Sequence, residues 1–259
     1  VIEAGWESAL FASLPAWALL TTLFLGALAS LDDTALAQTW LGQPLPAAVV
    51  AGYVLGEPAA GLALGLPLQL ATLGNLPVGR SFLGEQAAPL VGALAAAAAS
   101  GFLTAAADEA VLRPGPVSAR VGWLLVLLAV ASLAGHRLVK AERAWHERQS
   151  AGALRALRDG HSGHLDLVHL RCLLGTAVRG ALVASLVYAV AVLVWIPAYP
   201  DLPSRLQKAL GLLPWFSPAL ALGALMDLYG SRAGRRWLAG AFAVVLAALW
   251  WTVTRRAGS

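Results

Sequence analysis

Charge is scarce in this chain. Only 12% of its 259 residues are Asp, Glu, Lys or Arg, about half the roughly 25% of an ordinary soluble domain. With 59% hydrophobic residues and a mean hydropathy of +0.71, that deficit excludes a soluble globular fold and assigns the chain to a lipid bilayer. Cysteine is nearly missing as well. Cys172 is the single one, which excludes an intrachain disulfide and a cysteine-built metal site. Ten-residue segments of alternating polarity do not recur, which argues against a β-barrel. No glycine-rich phosphate loop occurs either.

What is present is a series of long uncharged runs: Ser8–Leu31, Thr34–Gly56, Pro58–Gly79, Gln86–Ala107, Val121–His136, Gly180–Pro200, Ala209–Met226 and Trp237–Thr254. Most reach the roughly 17–25 residues that a spanning helix needs. The expected fold is therefore all-α: a polytopic integral membrane protein, one transmembrane domain over residues 1–259, with broken or re-entrant helices in the N-terminal half. The first run follows Glu3 and Glu7 rather than a basic region, so it reads as a retained helix and not a signal peptide. Basic residues give a net charge of +4 and a pI near 9.7. They lie in loops between apolar runs, which points to membrane topology rather than to nucleic acid.

One segment is strongly polar. Arg137–Arg171 carries Arg137, Lys140, Arg143, Arg148, Arg155, Arg158 and Arg171 against Glu142, Glu147, Asp159 and Asp166. Opposite charges at helical spacing, Arg143 with Glu147 and Arg155 with Asp159, predict a solvated helix that turns at Gly160–Gly163. Its basic excess predicts a cytoplasmic location for residues 137–171. His161, His164 and His169 fall in or just after that turn, with no carboxylate or cysteine pattern that would make them a metal site.

Residues 31–85 differ from every other part. They are apolar enough for a membrane, yet Pro44, Pro46, Pro58, Pro67 and Pro77 interrupt them, and Asp32, Asp33, Gln38, Gln43, Gln69 and Asn75 are spaced through them. Proline removes a backbone N–H and disfavours helix in the residue before it, so short helices are expected over Thr34–Leu41, Pro44–Leu55 and Pro58–Thr72, then a turn through Asn75–Gly79. Broken helices at membrane depth present unpaired backbone groups to a ligand, and this is where transporters bind substrate. The carboxamides of Gln38, Gln69 and Asn75 suit neutral hydroxyls, as in a sugar or another polyol. Asp32 is a carboxylate at the end of an apolar run, costly unless used or paired. Glu85 closes the stretch, within reach of Arg80. The candidate substrate-binding residues are Asp32, Gln38, Gln69, Asn75 and Glu85. A bland alternative is that such residues only cap broken helices.

The order of these features resembles the IIC membrane component of the mannose/fructose/sorbose family of the bacterial phosphoenolpyruvate-dependent sugar phosphotransferase system. The matching positions are Leu31–Asp32, Gln38, Gln43–Pro44–Leu45, Leu55–Gly56–Glu57, the GLPLQL segment from Gly65 to Leu70, Pro77–Val78–Gly79 and Gly84–Glu85. In the second half, GHLDLVHLRCLLGTAVRGALV resembles the family's HL-x-GL followed by an arginine-containing helix. The chain departs in having Gln43 where the family has the arginine of RPL, and Leu83–Gly84–Glu85 where it has PPD. The resemblance implies a sugar-translocating subunit of a bacterial inner membrane permease, multi-pass and in a hetero-oligomer with a IID membrane subunit. Soluble IIA and IIB phosphocarriers would supply phosphate to a hexose-type sugar. No cofactor, metal or catalytic centre is implied on this chain. The alternatives are a degenerate relative with a regulatory or assembly role, or an unrelated multispan carrier.

Overall fold

The computed structural model describes residues 15–34, 39–73, 85–103, 116–159 and 164–228, with isolated helical positions at 236, 240 and 243. The described residues are helical with no strand. The expected last span, Trp237–Thr254, and the turn at Asn75–Gly79 lie outside them or nearly so.

Helix α1 (Ala16–Thr34) starts immediately after Pro15. Helices α2 (Pro44–Val54) and α3 (Pro58–Ala71) each begin with a proline at the first helical position, where the missing N–H has no intrahelical partner to lose. Between them Gly56 adopts φ 76°, and the Glu57 N–H donates to the Gly52 carbonyl at 2.7 Å. That is the left-handed glycine stop of a helix end. The chain then doubles back so tightly that a Cβ on Gly61 would collide with the Ala48 carbonyl and one on Gly65 with the Ala48 methyl. With 11 and 14 residues, α2 and α3 extend about 16 and 21 Å at 1.5 Å per residue. Neither crosses a hydrocarbon core of about 30 Å. They form a short hairpin whose two open ends, Gln43 and Thr72, lie together.

One of the expected pieces differs: residues 39–43 form a turn rather than the end of a helix over Thr34–Leu41. The expected piece Pro58–Thr72 is α3, with Pro67 inside it. Pro67 and the neighbouring Leu64 and Leu68 are buried, so tertiary packing holds the helix where local propensity would break it.

Helix α4 (Ala87–Ser100) is the centre of the fold. Every residue from Ala87 to Ala97 is buried, which is possible because most of them are alanine or glycine and let neighbouring backbones approach. It packs on α1, α2 and the long helix α6 (His164–Val190). Gly26 of α1 and Gly180 of α6 meet in the same way, each occupying the space a Cβ of the other would need.

Helix α5 (Pro116–Arg158) has 43 residues, about 65 Å, roughly twice a bilayer core. Its apolar first half is followed by the polar Arg137–Arg158, and it pairs with α6 as an antiparallel hairpin across residues 159–163. The predicted helix of the polar segment is present, and the predicted turn at Gly160–Gly163 lies outside the described residues. Helix α6 runs on into a π-helical turn, Ala191–Trp195, in which the Ile196 N–H donates to the Ala191 carbonyl at 2.8 Å. Pro200 cannot donate to the Trp195 carbonyl five residues back. The indole of Trp123 on α5 does so instead, at 2.8 Å, and the Trp195 indole returns a 2.9 Å bond to the Trp123 carbonyl, with the rings stacked 4.3 Å apart. Helices α7 (Ser204–Leu210) and α8 (Leu213–Leu228) complete the described chain. Three segments are long and apolar enough to cross a membrane among the described residues: Val117–Arg158, Leu165–Trp195 and Ser204–Met226.

Candidate functional site

The C-terminal end of α1, the start of α2, the end of α3 and the start of α4 are tied to one another by polar side chains. Asp32, only 6% exposed, points away from its own helix to the following turn. Its Oδ1 accepts from the Thr39 N–H at 2.7 Å and the Thr39 hydroxyl at 2.8 Å, and its Oδ2 accepts from the Gly42 N–H at 2.9 Å. A carboxylate gathering backbone donors in this way is the anionic counterpart of a helix cap, and charge-assisted bonds of this kind are the strong ones. Between the two backbone donors sits Trp40 at φ 73°, its side chain 76% exposed. A bulky residue in the left-handed region costs about 1–2 kcal/mol, and Asp32 holds it there from both sides.

Three residues beyond Gly42, the Leu45 N–H in the first turn of α2 donates to Oε1 of Gln69 at 3.2 Å. This N–H is flanked by two prolines that have none, so Gln69 takes a donor that α2 itself cannot satisfy. Its amide nitrogen is the remaining donor. Two residues before Asp32, the Ser30 hydroxyl donates to Glu85 Oε1. Glu85 Oε2 forms an ion pair with Arg179 of α6; Arg80 lies outside the described residues. Arg179 also reaches Glu142 of α5, whose Oε1 accepts from the Thr176 hydroxyl.

Asp32, Gln69 and Glu85 are thus brought to one end of the bundle by bonds through Ser30, the turn 39–42 and Leu45. Gln38 and Asn75 lie outside the described residues, in the two segments that flank this junction in sequence. Among the described residues, no group of three or more His, Cys, Asp and Glu side chains is gathered to hold a metal. Sequence reasoning missed Ser30, Thr39, Trp40, Glu142, Thr176 and Arg179. For Arg179 a signal existed: it stands directly before the uncharged run Gly180–Pro200, where an arginine must find a partner or reach water.

A helical membrane protein, broken in its first half into short apolar helices around a polar junction, is the class that these features define. The fold is similar to that of a solved structure described as "Structure of membrane protein", with 18% sequence identity, a TM-score of 0.67 and 94% of each chain covered. No curated protein matches the sequence. The sequence model of the family described as "PTS system sorbose-specific IIC component" matches residues 16–225. The chain belongs to that family: it is a membrane IIC component of the sugar phosphotransferase system.

Proposed function

We propose that this chain is the sugar-translocating IIC subunit of a mannose/fructose/sorbose-type permease in a bacterial inner membrane, coupling sugar import to phosphorylation by its partners. The observation that carries the proposal is the junction itself: a carboxylate, a carboxamide and an exposed indole gathered where four apolar helix ends meet. Neutral hydroxyls are satisfied by such groups, since Gln69 can accept and donate and Asp32 Oδ2, bonded to the Gly42 N–H, can accept a further donor. The proposed sugar contacts are Asp32 and Gln69, with Gln38, Asn75 and Glu85 from the same substrate region, residues 31–85.

The partners would be a IID membrane subunit and the soluble IIA and IIB phosphocarriers. No phosphorylated histidine is proposed on this chain; His164 and His169 lie in the first turns of α6, and His161 lies outside the described residues. The helical hairpin through residues 137–171 would face the cytoplasm, where its arginines favour retention, on the side from which phosphate arrives. The test is reconstitution. Membranes containing this chain, its copurified membrane partner and the phosphocarriers should take up labelled mannose, fructose or sorbose as the phosphorylated sugar. Purification without any second membrane subunit, together with no uptake of the three sugars, would contradict the proposal.

A further inference from the structure

Arg179 has a geometry that sugar binding alone does not require. It lies on α6, 11% exposed, between two carboxylates that are themselves nearly buried, Glu85 at 7% and Glu142 at 11%. Glu85 immediately precedes α4 and is 94 positions away in sequence, whereas Glu142 is on α5. One guanidinium therefore joins the end of the substrate region to the long α5–α6 hairpin. A planar guanidinium with several fixed donors can serve two carboxylates at once, and an ammonium cannot do so in the same geometry. Each carboxylate has a second, neutral donor of its own: Ser30 for Glu85 and Thr176 for Glu142.

We infer that Arg179 is a positioning residue for the sugar site: it clamps Glu85, and through Ser30 the end of α1 that carries Asp32, to the α5–α6 hairpin. This rests on the transport function proposed above and names the device that fixes its site. The direction of the clamp follows from connectivity. Glu142 and Arg179 both belong to the hairpin, so their contact holds the hairpin together. Of the two Arg179 ion pairs, the one to Glu85 reaches from the hairpin to the sugar region; the packing of Gly180 on Gly26 and Ser30 stays when that pair is lost, so its loss should loosen the region without detaching α1 from α6.

The ion pairs supply matched variants. Glu85→Gln and Glu142→Gln each leave Arg179 with one anionic partner; Glu142→Gln also takes the carboxylate from the partly exposed His146, whose Nε2 lies 3.6 Å from Glu142 Oε1. Removing the arginine instead would leave two buried carboxylates facing each other, a strongly destabilising arrangement. Both glutamine variants are therefore expected to fold and to insert.

The experiment is hydrogen exchange on the full-length protein in nanodiscs, with sugar uptake measured in parallel. Glu85→Gln should speed amide exchange over residues 85–90 and 39–45 about 10-fold or more, by local opening, and raise the KM for sugar about 10-fold with a smaller change in maximal rate. Glu142→Gln should speed exchange along α5 and α6 and leave KM within about twofold. Arg179→Lys, which keeps the charge but not the double contact, should give an intermediate KM. If Glu85 only touched sugar directly, Arg179→Lys would keep the wild-type KM, and that result overturns the inference. So does the same exchange pattern in both glutamine variants, or released exchange with no rise in KM. Should wild-type protein transport none of the sugars, the proposed function fails, and the exchange data still decide whether the clamp exists.

Discussion

Gly92→Ala is expected to destabilise the protein by at least about 2–3 kcal/mol, although alanine is the better helix former. A Cβ at this position would overlap the Ala184 carbonyl and stand 3.0 Å from both the Ala184 carbonyl carbon and the Tyr188 nitrogen. These are backbone atoms of α6, so no side chain can swing aside, and α4 and α6 must separate. Separation is felt widely, because α4 is buried on all sides and also packs on α1 and α2. Overpacking usually costs about 1–3 kcal/mol, more where the backbone must shift, and the propensity gain of about 0.5–1 kcal/mol cannot offset that. Gly152→Ala is the internal comparison. A Cβ there meets nothing within 4 Å, so the same substitution should stabilise by about 0.5–1 kcal/mol. Thermal unfolding of the two variants in one detergent should move in opposite directions.

The second large effect is expected from Asp32→Ala. Three donors lose their acceptor at once, two of them backbone N–H groups that bracket Trp40 in its left-handed conformation. Bonds to a charged group contribute about 1.5–3 kcal/mol each, and donors left unmatched cost about 1–3 kcal/mol. Because the turn is only partly buried and water can reach some of it, a net loss of about 2–4 kcal/mol is expected. Exchange at residues 39–45 should accelerate, and sugar affinity should fall with it. Asp32→Asn should be milder, since one oxygen remains an acceptor while the new NH2 must face a donor. Exchange over 39–45 that stays at the wild-type rate in Asp32→Ala would show that this carboxylate does not hold the turn.

Much of the fold was legible because its causes are local. Pro44 and Pro58 mark the starts of α2 and α3, Gly56–Glu57–Pro58 marks the turn between them, and the change from apolar to charged residues near Arg137 marks where α5 becomes polar. Local rules also misled. A short helix was expected over Thr34–Leu41, whereas residues 39–43 form a turn held by Asp32. The break before α8 falls at Gly211–Leu212, just ahead of Pro214 in the first turn of that helix, inside a run whose apolar pattern shows no interruption there. The π-helical turn at Ala191–Trp195 has no periodic signature; its stability comes from the indole pair with Trp123, 72 residues away.

The candidate site was legible in its residue types and not in its connections. Asp32, Gln69 and Glu85 stand out as polar groups in an apolar stretch, which chemistry alone makes conspicuous. That Glu85 is held by Arg179, 94 residues away, or that Asp32 binds a turn seven to ten residues onward, depends on how helices pack. Pattern within one helix carries no such information. The same distinction explains Glu142, which in sequence looks like one more charge on a solvated helix and in the structure is a nearly buried partner of an arginine from the next one.

The central claim is that sugar is bound at the junction of α1, α2, α3 and α4. Calorimetric titration of the purified membrane complex with mannose, fructose and sorbose, wild type against Gln69→Leu, tests it most directly. Leucine keeps the size of Gln69 and removes both its acceptor and its donor, so losing one or two hydrogen bonds to a neutral ligand should weaken binding about 2- to 150-fold, equivalent to about 0.5–3 kcal/mol. The account predicts a weakening toward the upper part of that range in a protein that still folds and assembles. Affinity unchanged within about twofold, with exchange over residues 39–45 also unchanged, would contradict it and make the junction a scaffold for a site elsewhere.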